Sequence, residues 1–341
     1  MNRMIIALLV PVLMIILTAI ALSGPPEPME TVFAPEQCER VAVLDRRLRP
    51  IEGIEDIIAL NDGRLFFSAH NRRFAELPVR GIYYSSLDDL DLAQAEGEDL
   101  RVMAVPGISR AVQSVYPHGM AMDRSGERLA FVNRPFEEPV EIVWGTINGI
   151  NFVPAGRWAA PEACRANDVE WRGAELLATR DRASCEFSVS DVMPGAATGS
   201  LVSVGPTRAA ELETGLAFAN GLSLIGGRVL VAETRQDRLR ILGTEEVIEL
   251  PGGPDNLSRG PFGTVIAALH TDLFDYWMYS LGYVDTAASR VVAINPETGR
   301  IDVLYDDPLG KQYSGASVGV FVQGRLILGS AFDSGILVCR R

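Results

Sequence analysis

Residues 53–69 read GIEDIIALNDGRLFFSA, which is an apolar strand, a turn containing Gly63 and a second apolar strand. The same unit recurs six times along the chain. The second strands of the six units are LFFSA after Gly63, RLAFV after Gly126, AELLAT after Gly173, VLVAE after Gly227, TVIAAL after Gly263 and LILGS after Gly324. Further short strands lie between the units, and no long amphipathic helix interrupts them. Repeated four-stranded units of this kind predict an all-β six-bladed β-propeller rather than an α/β fold or a sandwich.

Polar residues precede each of these glycines by about six to eight positions, where the inner strand of each blade should begin. They are Glu55 and Asp56, His118, Asn167 and Asp168, Asn220, Asp255 and Asn256, and Ser317. The inner strands of a propeller surround one central channel, so we expect these side chains to meet at one end of it.

The oxygen atoms in this set favour calcium. Glu55, Asn167, Asn220, Asp255 and Asn256 offer carboxylate and amide oxygens, the hard ligands that Ca²⁺ prefers over softer donors. Taken singly, each is also an ordinary turn residue. Their repetition across blades is the reason to predict a metal site.

The charge of the chain limits its partners. Its 341 residues include 31 Lys and Arg against 44 Asp and Glu, a formal net charge of -13. Nucleic acid is therefore not an expected partner, because a phosphate-binding face needs excess positive charge. A small-molecule substrate is expected instead.

The N-terminus carries an export signal. Residues 4–22 form an uncharged apolar run behind Arg3, which predicts either a cleaved signal peptide or a retained helical membrane anchor over residues 1–23. A Pro-rich linker should follow over 24–37, and the propeller should occupy 38–341. We expect an exported protein that is periplasmic, extracellular or held at a membrane by this segment.

Export makes disulfides the natural state of the four cysteines. Cys38 and Cys339 lie at the two ends of the repeat array, where a bridge would close the ring of blades. Cys164 and Cys185 form a second pair or remain thiols.

Three histidines complete the candidates. His118 is one of the converging residues, whereas His70 and His270 end the second strands of units one and five. A lone histidine is commonly structural, but the predicted cation cluster beside His118 favours a catalytic role.

These motifs in this order resemble the paraoxonase and arylesterase family of calcium-dependent lactonases. The resemblance covers residues 38 to 341. It rests on GIEDIIALNDGRLFFSA, YPHGM followed by FVNRP, ANDVE, FANGLSL with VLVAET, PDNLS with a downstream ALH, and LILGSAFDSGILVC.

The resemblance implies two calcium ions. The catalytic ion would be held by Glu55, Asn167, Asn220, Asp255 and Asn256, and a structural ion by Asp56, Asp168 and the backbone oxygen of Met120. It further implies a bridge between Cys38 and Cys339 and a pocket lined by Phe218. We expect His70, Arg134 and His270 to line the same pocket.

One position departs from the family. Its mammalian members carry a second histidine in an Asn-His-Pro segment, whereas this chain reads Asn133-Arg134-Pro135. An arginine stays protonated and cannot relay a proton, so a histidine dyad cannot operate here.

We therefore predict a carboxylic ester hydrolase, a lactonase or arylesterase, with His118 as the candidate base. The alternatives are a gluconolactonase-type sugar-acid lactonase and a propeller that only binds a ligand. The aromatic residues between Phe274 and Tyr279 could bind an acyl chain, pack a blade or face a membrane.

Overall fold

The computed structural model describes residues 29–73, 79–136, 139–159, 161–186, 196–205 and 208–341. The predicted signal or anchor at 1–23 lies outside this part of the chain. Within the described part, no helix is long and apolar enough to cross a membrane.

Six four-stranded antiparallel sheets form the six blades, which confirms the predicted propeller. The chain enters through β1 (Cys38–Val41) and β2 (Val43–Leu44). Next come β3 (Ile54–Ala59), β4 (Arg64–His70), β5 (Arg80–Ser86), β6 (Leu100–Arg101) and β7 (Met103–Ala104). Blade 1 has the order β3-β4-β5-β7, and β6 pairs in parallel with β2.

The next three blades follow in chain order. Blade 2 contains β8 (Pro117–Met122), β9 (Arg128–Asn133), β10 (Glu141–Asn148) and β11 (Asn151–Trp158). Blade 3 contains β12 (Ala166–Arg172), β13 (Glu175–Arg180), β14 (Gly199–Val204) and β15 (Ala209–Leu216). Blade 4 contains β16 (Ala219–Ile225), β17 (Arg228–Glu233), β18 (Arg238–Ile241) and β19 (Val247–Glu249).

The last two blades complete the ring. Blade 5 contains β20 (Gly253–Arg259), β21 (Val265–His270), β22 (Ser289–Ile294) and β23 (Ile301–Asp307). Blade 6 contains β24 (Ala316–Val322), β25 (Arg325–Ser330) and β26 (Ile336–Arg340), and its fourth strand is β1 from the N-terminal end.

Helical segments are few. They are α1 (Leu87–Glu96), α2 (Ile108–Ala111) and α3 (Leu273–Ser280), with 3-10 turns at Pro35–Gln37, Pro161–Arg165, Thr234–Gln236 and Pro261–Gly263. Helix α1 begins at Ser86, whose hydroxyl accepts a hydrogen bond from the Asp89 amide, and ends at Gly97 in the left-handed conformation.

The apolar core is distributed between the blades. The described residues form six hydrophobic clusters, each of which lies between two neighbouring blades. The apolar faces of the sheets are thus buried against each other, and the polar starts of the inner strands are left to the central channel.

The ring is closed at the junction of the two chain ends. Cys38 lies opposite Cys339 in the β1–β26 ladder, and their sulfur atoms form the predicted disulfide. Just before β1, the amides of Val32 and Phe33 donate to the carbonyl oxygens of Val303 and Leu304 on β23. The last residues of the predicted linker therefore pack on blade 5, where Phe33 is fully buried.

Removing the closing disulfide should cost much more stability than removing the second one, which joins Cys164 and Cys185. The two bridges span sequence separations of 301 and 21 residues. Loop-closure entropy predicts that C38S/C339S loses about 2 kcal/mol more unfolding free energy than C164S/C185S. Denaturant titration of both double variants measures the difference. Equal losses would contradict the closure argument.

Candidate functional site

Every inner strand carries a β-bulge at its start. The register shifts lie between Ile54 and Asp56, Pro117 and Met120, Ala166 and Val169, Ala219 and Leu222, Pro254 and Leu257, and Ala316 and Val318. The predicted polar positions fall in or beside these bulges. A bulge places an extra residue opposite one partner and re-aims its side chain, so one repeated irregularity turns all six polar sets toward the channel.

The bulges lie at what we call the upper mouth, the end of the channel where inner strands begin and second strands end. Neighbouring blades approach very closely there. A β-carbon added to Gly119 would lie 2.3 Å from Asp168 Oδ1, so only glycine allows this approach between blades 2 and 3.

Hydroxyl groups connect the bulges across blade boundaries. Ser68 Oγ donates to the carbonyl oxygen of His118 at 2.6 Å, and Thr179 Oγ1 donates to that of Asn220 at 2.6 Å. Ser317 Oγ likewise donates to the carbonyl oxygen of Glu55 at 2.9 Å. These buried bonds hold the site residues at fixed heights in the channel.

Glu55 lies at the centre of the first polar group. Its Oε1 is 3.1 Å from His118 Nδ1, 3.2 Å from Arg72 Nη2 and 3.2 Å from Asn256 Nδ2. Burial alone would raise the pKa of Glu55, but the interactions with His118, Arg72 and Asn256 outweigh it and hold the pKa well below its usual range. Glu55 is therefore a carboxylate at neutral pH.

Asp255 lies at the centre of the second group. Its Oδ1 accepts a hydrogen bond from Asn220 Nδ2 at 2.6 Å, and its Oδ2 lies 2.9 Å from His270 Nε2. The ring of Tyr276 from α3 stacks on His270 with centroids 3.5 Å apart. The sequence-predicted His270 is thus tied to a predicted metal ligand.

Four buried oxygens in this region have no hydrogen-bond donor. They are Glu55 Oε2, Asn167 Oδ1, Asn220 Oδ1 and Asn256 Oδ1. The nitrogens of Asn220 and Asn256 face carboxylate or carbonyl oxygens, which only accept, and this fixes both amide orientations. Unpartnered buried oxygens are costly, so this arrangement fits a cation bound at the free oxygens.

The donor set is oxygen-rich and not of the zinc type. Among the described residues, no group of three or more His, Cys, Asp and Glu side chains is arranged to hold a metal ion. The cluster instead combines the carboxylates of Glu55 and Asp255 with three amide oxygens, a composition suited to Ca²⁺.

Asp56 and Asp168 form a deeper layer of the channel. Asp56 accepts hydrogen bonds from the amides of Ile57 and Met120, and Asp168 from those of Val169 and Leu222. Burial is the main cause that raises the pKa values of Asp56 and Asp168 well above the ordinary range. The negative charge of Glu55 raises the pKa of Asp56 further, and the negative charge of Asp56 raises that of Asp168. A cation would relieve this repulsion. Met120 presents its amide, rather than its oxygen, to Asp56.

A cavity of about 880 Å³ begins below this layer, at the opposite end of the channel. Asp56, Met120 and Asp168 belong to its lining, together with Glu170, which is paired with Arg259 at 2.8 Å.

His118 is buried and uncharged at neutral pH. Burial, followed by the positive charge of Arg72, lowers its pKa below 6.5. Its Nδ1 lies near Glu55 but outside hydrogen-bond alignment.

Arg134 does not replace the missing histidine. It pairs with the buried Asp181, with Nη2 to Oδ2 at 3.0 Å. Its effect on His118 is electrostatic, because its positive charge contributes to the lowered pKa of that histidine.

Phe218 precedes β16 with a φ of 62°, an unusual left-handed conformation, and Arg235 lies 5.0 Å above its ring. In α3, Tyr279 is buried whereas Phe274 and Trp277 are exposed. One part of this aromatic segment is therefore buried near the channel mouth, and the other part is exposed at the surface.

Sequence reasoning missed Arg72 as a contact of this site, and it named Tyr276 only as one of the aromatic residues between Phe274 and Tyr279. The sequence position of Arg72 could have identified it, because Arg72 follows the end of the second strand β4 by two residues, much as Arg134 follows the end of β9. The stacking of Tyr276 on His270 could not be predicted from the sequence, because it depends on the fold of α3.

His70 offers a pH test of the channel. Its Nδ1 donates to the carbonyl oxygen of Pro117 at 2.9 Å, and burial, followed by the charge of Arg72, lowers its pKa to about 3. The unfolded state therefore binds one more proton between about pH 3 and 6.5, and stability is lost as pH falls through this window. His70→Asn should reduce the slope of unfolding free energy against pH by about 1.4 kcal/mol per unit there. An unchanged slope would place the acid sensitivity elsewhere.

Comparison with known proteins supports the fold. No protein-family model and no curated protein sequence matches the chain. Among solved structures, it is similar to regucalcin, a calcium-binding protein from Agrobacterium tumefaciens, with TM-score 0.50 and 11% identity over 88% of this chain and 95% of that one. It is also similar to a gluconolactonase from Xanthomonas campestris, with TM-score 0.48 and 14% identity over 93% and 99%. At these identities the likeness concerns the fold alone.

Proposed function

We propose that this protein is an exported, paraoxonase-like hydrolase that uses calcium to cleave lactones or esters at the upper mouth. The observation that carries the proposal is the set of four buried, donor-free oxygens on blades 1, 3, 4 and 5. Two disulfides among the described residues support an oxidising location.

Calcium would be held by Glu55, Asn167, Asn220, Asp255 and Asn256. When bound there, it would polarise the substrate carbonyl and stabilise the negative charge that develops on its oxygen. Asp56 and Asp168 would hold a second cation with a structural role.

His118 is the proposed general base. A neutral imidazole can accept a proton, and the lowered pKa keeps His118 neutral at pH 7. Its Nδ1 lies toward Glu55, which leaves Nε2 to take a proton from an attacking water. The charge on Glu55 would stabilise the imidazolium that results.

The other residues position these groups. Asn256 donates to both the backbone and side chain of Glu55, and Asp255 is held between Asn220 and His270. Apolar parts of a substrate would lie against Phe218 and Tyr276. His70 and Arg134 would line the pocket on blades 1 and 2.

Two other functions compete with this one. A gluconolactonase-type enzyme would use the same cation on a sugar-acid lactone. A non-catalytic propeller would bind calcium without hydrolysis; the regucalcin of similar fold is described as calcium-binding. The neutral buried base beside the free oxygens favours a hydrolase.

Acid release measured in a pH-stat tests the proposal. Purified protein with added calcium should hydrolyse neutral γ- and δ-lactones, and the double variant E55Q/H118Q serves as the inactive control. Preference for an aldonolactone would favour the sugar-acid alternative. Calcium binding without any acid release would support the binding propeller.

A further inference from the structure

Four arginines surround the upper mouth in a repeated position. Arg72, Arg134, Arg182 and Arg235 each follow the end of a second strand by one or two residues, in blades 1, 2, 3 and 4 respectively. Second strands end at the upper mouth, so the topology brings all four side chains to the same rim. This occurs in a chain whose net charge is -13.

One of these arginines, Arg72, lies close to the proposed reaction centre. Arg72 Nη2 is 3.2 Å from Glu55, and its charge affects the pKa values of His70, His118 and Tyr276. Arg72 Nη2 is nevertheless buried without an aligned hydrogen-bond acceptor. Its guanidinium thus retains a donor for a further acceptor.

Two of the four arginines share one carboxylate. Arg134 and Arg182 both pair with Asp181, at 3.0 Å and 3.4 Å, and this is the one carboxylate paired with either within the described residues. Arg72 is paired with Glu55, whose charge would be shared with calcium in the proposed function. Within the described residues, Asp181 is thus shared by two guanidinium groups, and the partner of Arg72 is itself a proposed calcium ligand.

The second disulfide holds part of this rim. Cys164 is bonded to Cys185 in the loop that follows Asp181 and Arg182. Arg165 adds hydrogen bonds to the carbonyl oxygens of Ser184 and Cys185, at 2.9 Å and 2.6 Å. The loop that presents Arg182 is therefore covalently fixed at the mouth.

Blades 5 and 6 give the opposite side of the rim an apolar character. Tyr276 stacks on His270, and Phe332 lies with its ring centroid 6.0 Å from the ring centroids of Tyr276 and Tyr279. The four arginines thus lie on blades 1 to 4 and the aromatic rings on blades 5 and 6, where Arg73 of blade 1 lies 5.1 Å above the ring of Phe332.

We infer that the natural substrate is an anionic lactone or ester, with a carboxylate or similar group that binds Arg72 and Arg182 and an apolar portion that lies against Tyr276 and Phe332. This inference rests on the proposed function. Guanidinium groups bind carboxylates through charge-assisted hydrogen bonds, which are stronger than neutral ones. Positively charged groups at a low-dielectric mouth also attract anionic substrates.

Two γ-lactones that differ only in the end of their side chain, a carboxylate in one and a carboxamide in the other, test the inference. Wild-type protein should hydrolyse the carboxylate with a kcat/KM about 10-fold higher, the scale of one charge-assisted hydrogen bond. High salt should reduce this ratio by screening. Arg72→Gln and Arg182→Gln should lower it toward one, whereas Arg300→Gln, on an exposed outer turn, should not.

The failures of the two proposals are distinguishable. If both lactones are hydrolysed with equal kcat/KM, or if the ratio is the same in the arginine variants, the anionic substrate is wrong and the hydrolase stands. If neither is hydrolysed, the hydrolase is wrong, and calorimetric binding of the two lactones decides the inference. Tighter binding of the carboxylate that weakens in Arg182→Gln supports it, and equal binding overturns it.

Discussion

Removing calcium is expected to reduce lactone hydrolysis by about 10³-fold or more, because the cation supplies several kcal/mol of charge stabilisation to the transition state. Chelation followed by desalting should abolish acid release, and added Ca²⁺ should restore it. Glu55→Gln should show the same loss at saturating calcium because it removes the charge of a proposed ligand. Glu39→Gln, on the outer strand β1, is the matched control.

Calcium removal should also lower the melting temperature, since a ligand that binds only the folded protein contributes about 2.7 kcal/mol at 100 times its Kd. Asp56 and Asp168 make this effect depend on pH. Their raised pKa values mean that the metal-free folded state retains protons that the unfolded chain releases, so its stability falls as pH rises from about 4 toward neutrality.

The difference in melting temperature between calcium-loaded and chelated protein should therefore be larger at pH 7.5 than at pH 5. Calorimetry at the two pH values measures it. If exhaustive chelation changes neither the activity nor the melting temperature, the proposed metal site is wrong.

Replacing His118 by glutamine is expected to reduce lactone hydrolysis by about 10²-fold or more, the usual contribution of a general base. Calcium content should remain unchanged, because His118 contributes no oxygen to the cluster. Wild-type kcat/KM should fall as pH decreases below 6.5, since burial and Arg72 lower the pKa of His118 and protonation removes the base. The variant should lack this acidic limb.

Chemical rescue by a small base distinguishes a catalytic role of His118 from a structural one. His118→Ala leaves space for a small base, so added imidazole should restore part of the rate in proportion to its neutral form. A merely structural histidine would give no such dependence. If His118→Gln hydrolyses several lactones at near wild-type rates, a carboxylate such as Glu55 or Asp255 becomes the better candidate base.

Much of the site could be predicted from local sequence. Each blade encodes its own apolar strands and turn, and each places its polar residues about six to eight positions before the turn glycine. Local repetition in this way determined the fold class and the set of channel residues, including Glu55, Asn220 and Asp255. The inner strands also carry a bulge at these polar residues, which the residue types alone did not reveal.

The partners of these residues were decided by tertiary structure. Glu55 meets Asn256 across 201 positions of sequence, and Arg134 meets Asp181 across 47, because the ring places distant blades side by side. The pairing of Cys164 with Cys185 was likewise open until the fold brought them together.

The sequence by itself determined the six blades, the two cysteines at their ends and the polar residues of each inner strand, because these depend on periodicities within one blade. Which oxygens remain without donors, which carboxylates repel each other and which arginines reach the mouth depend on contacts between blades. Such contacts arise only when the ring is closed and burial removes water as an alternative partner, so only the tertiary structure could assign them.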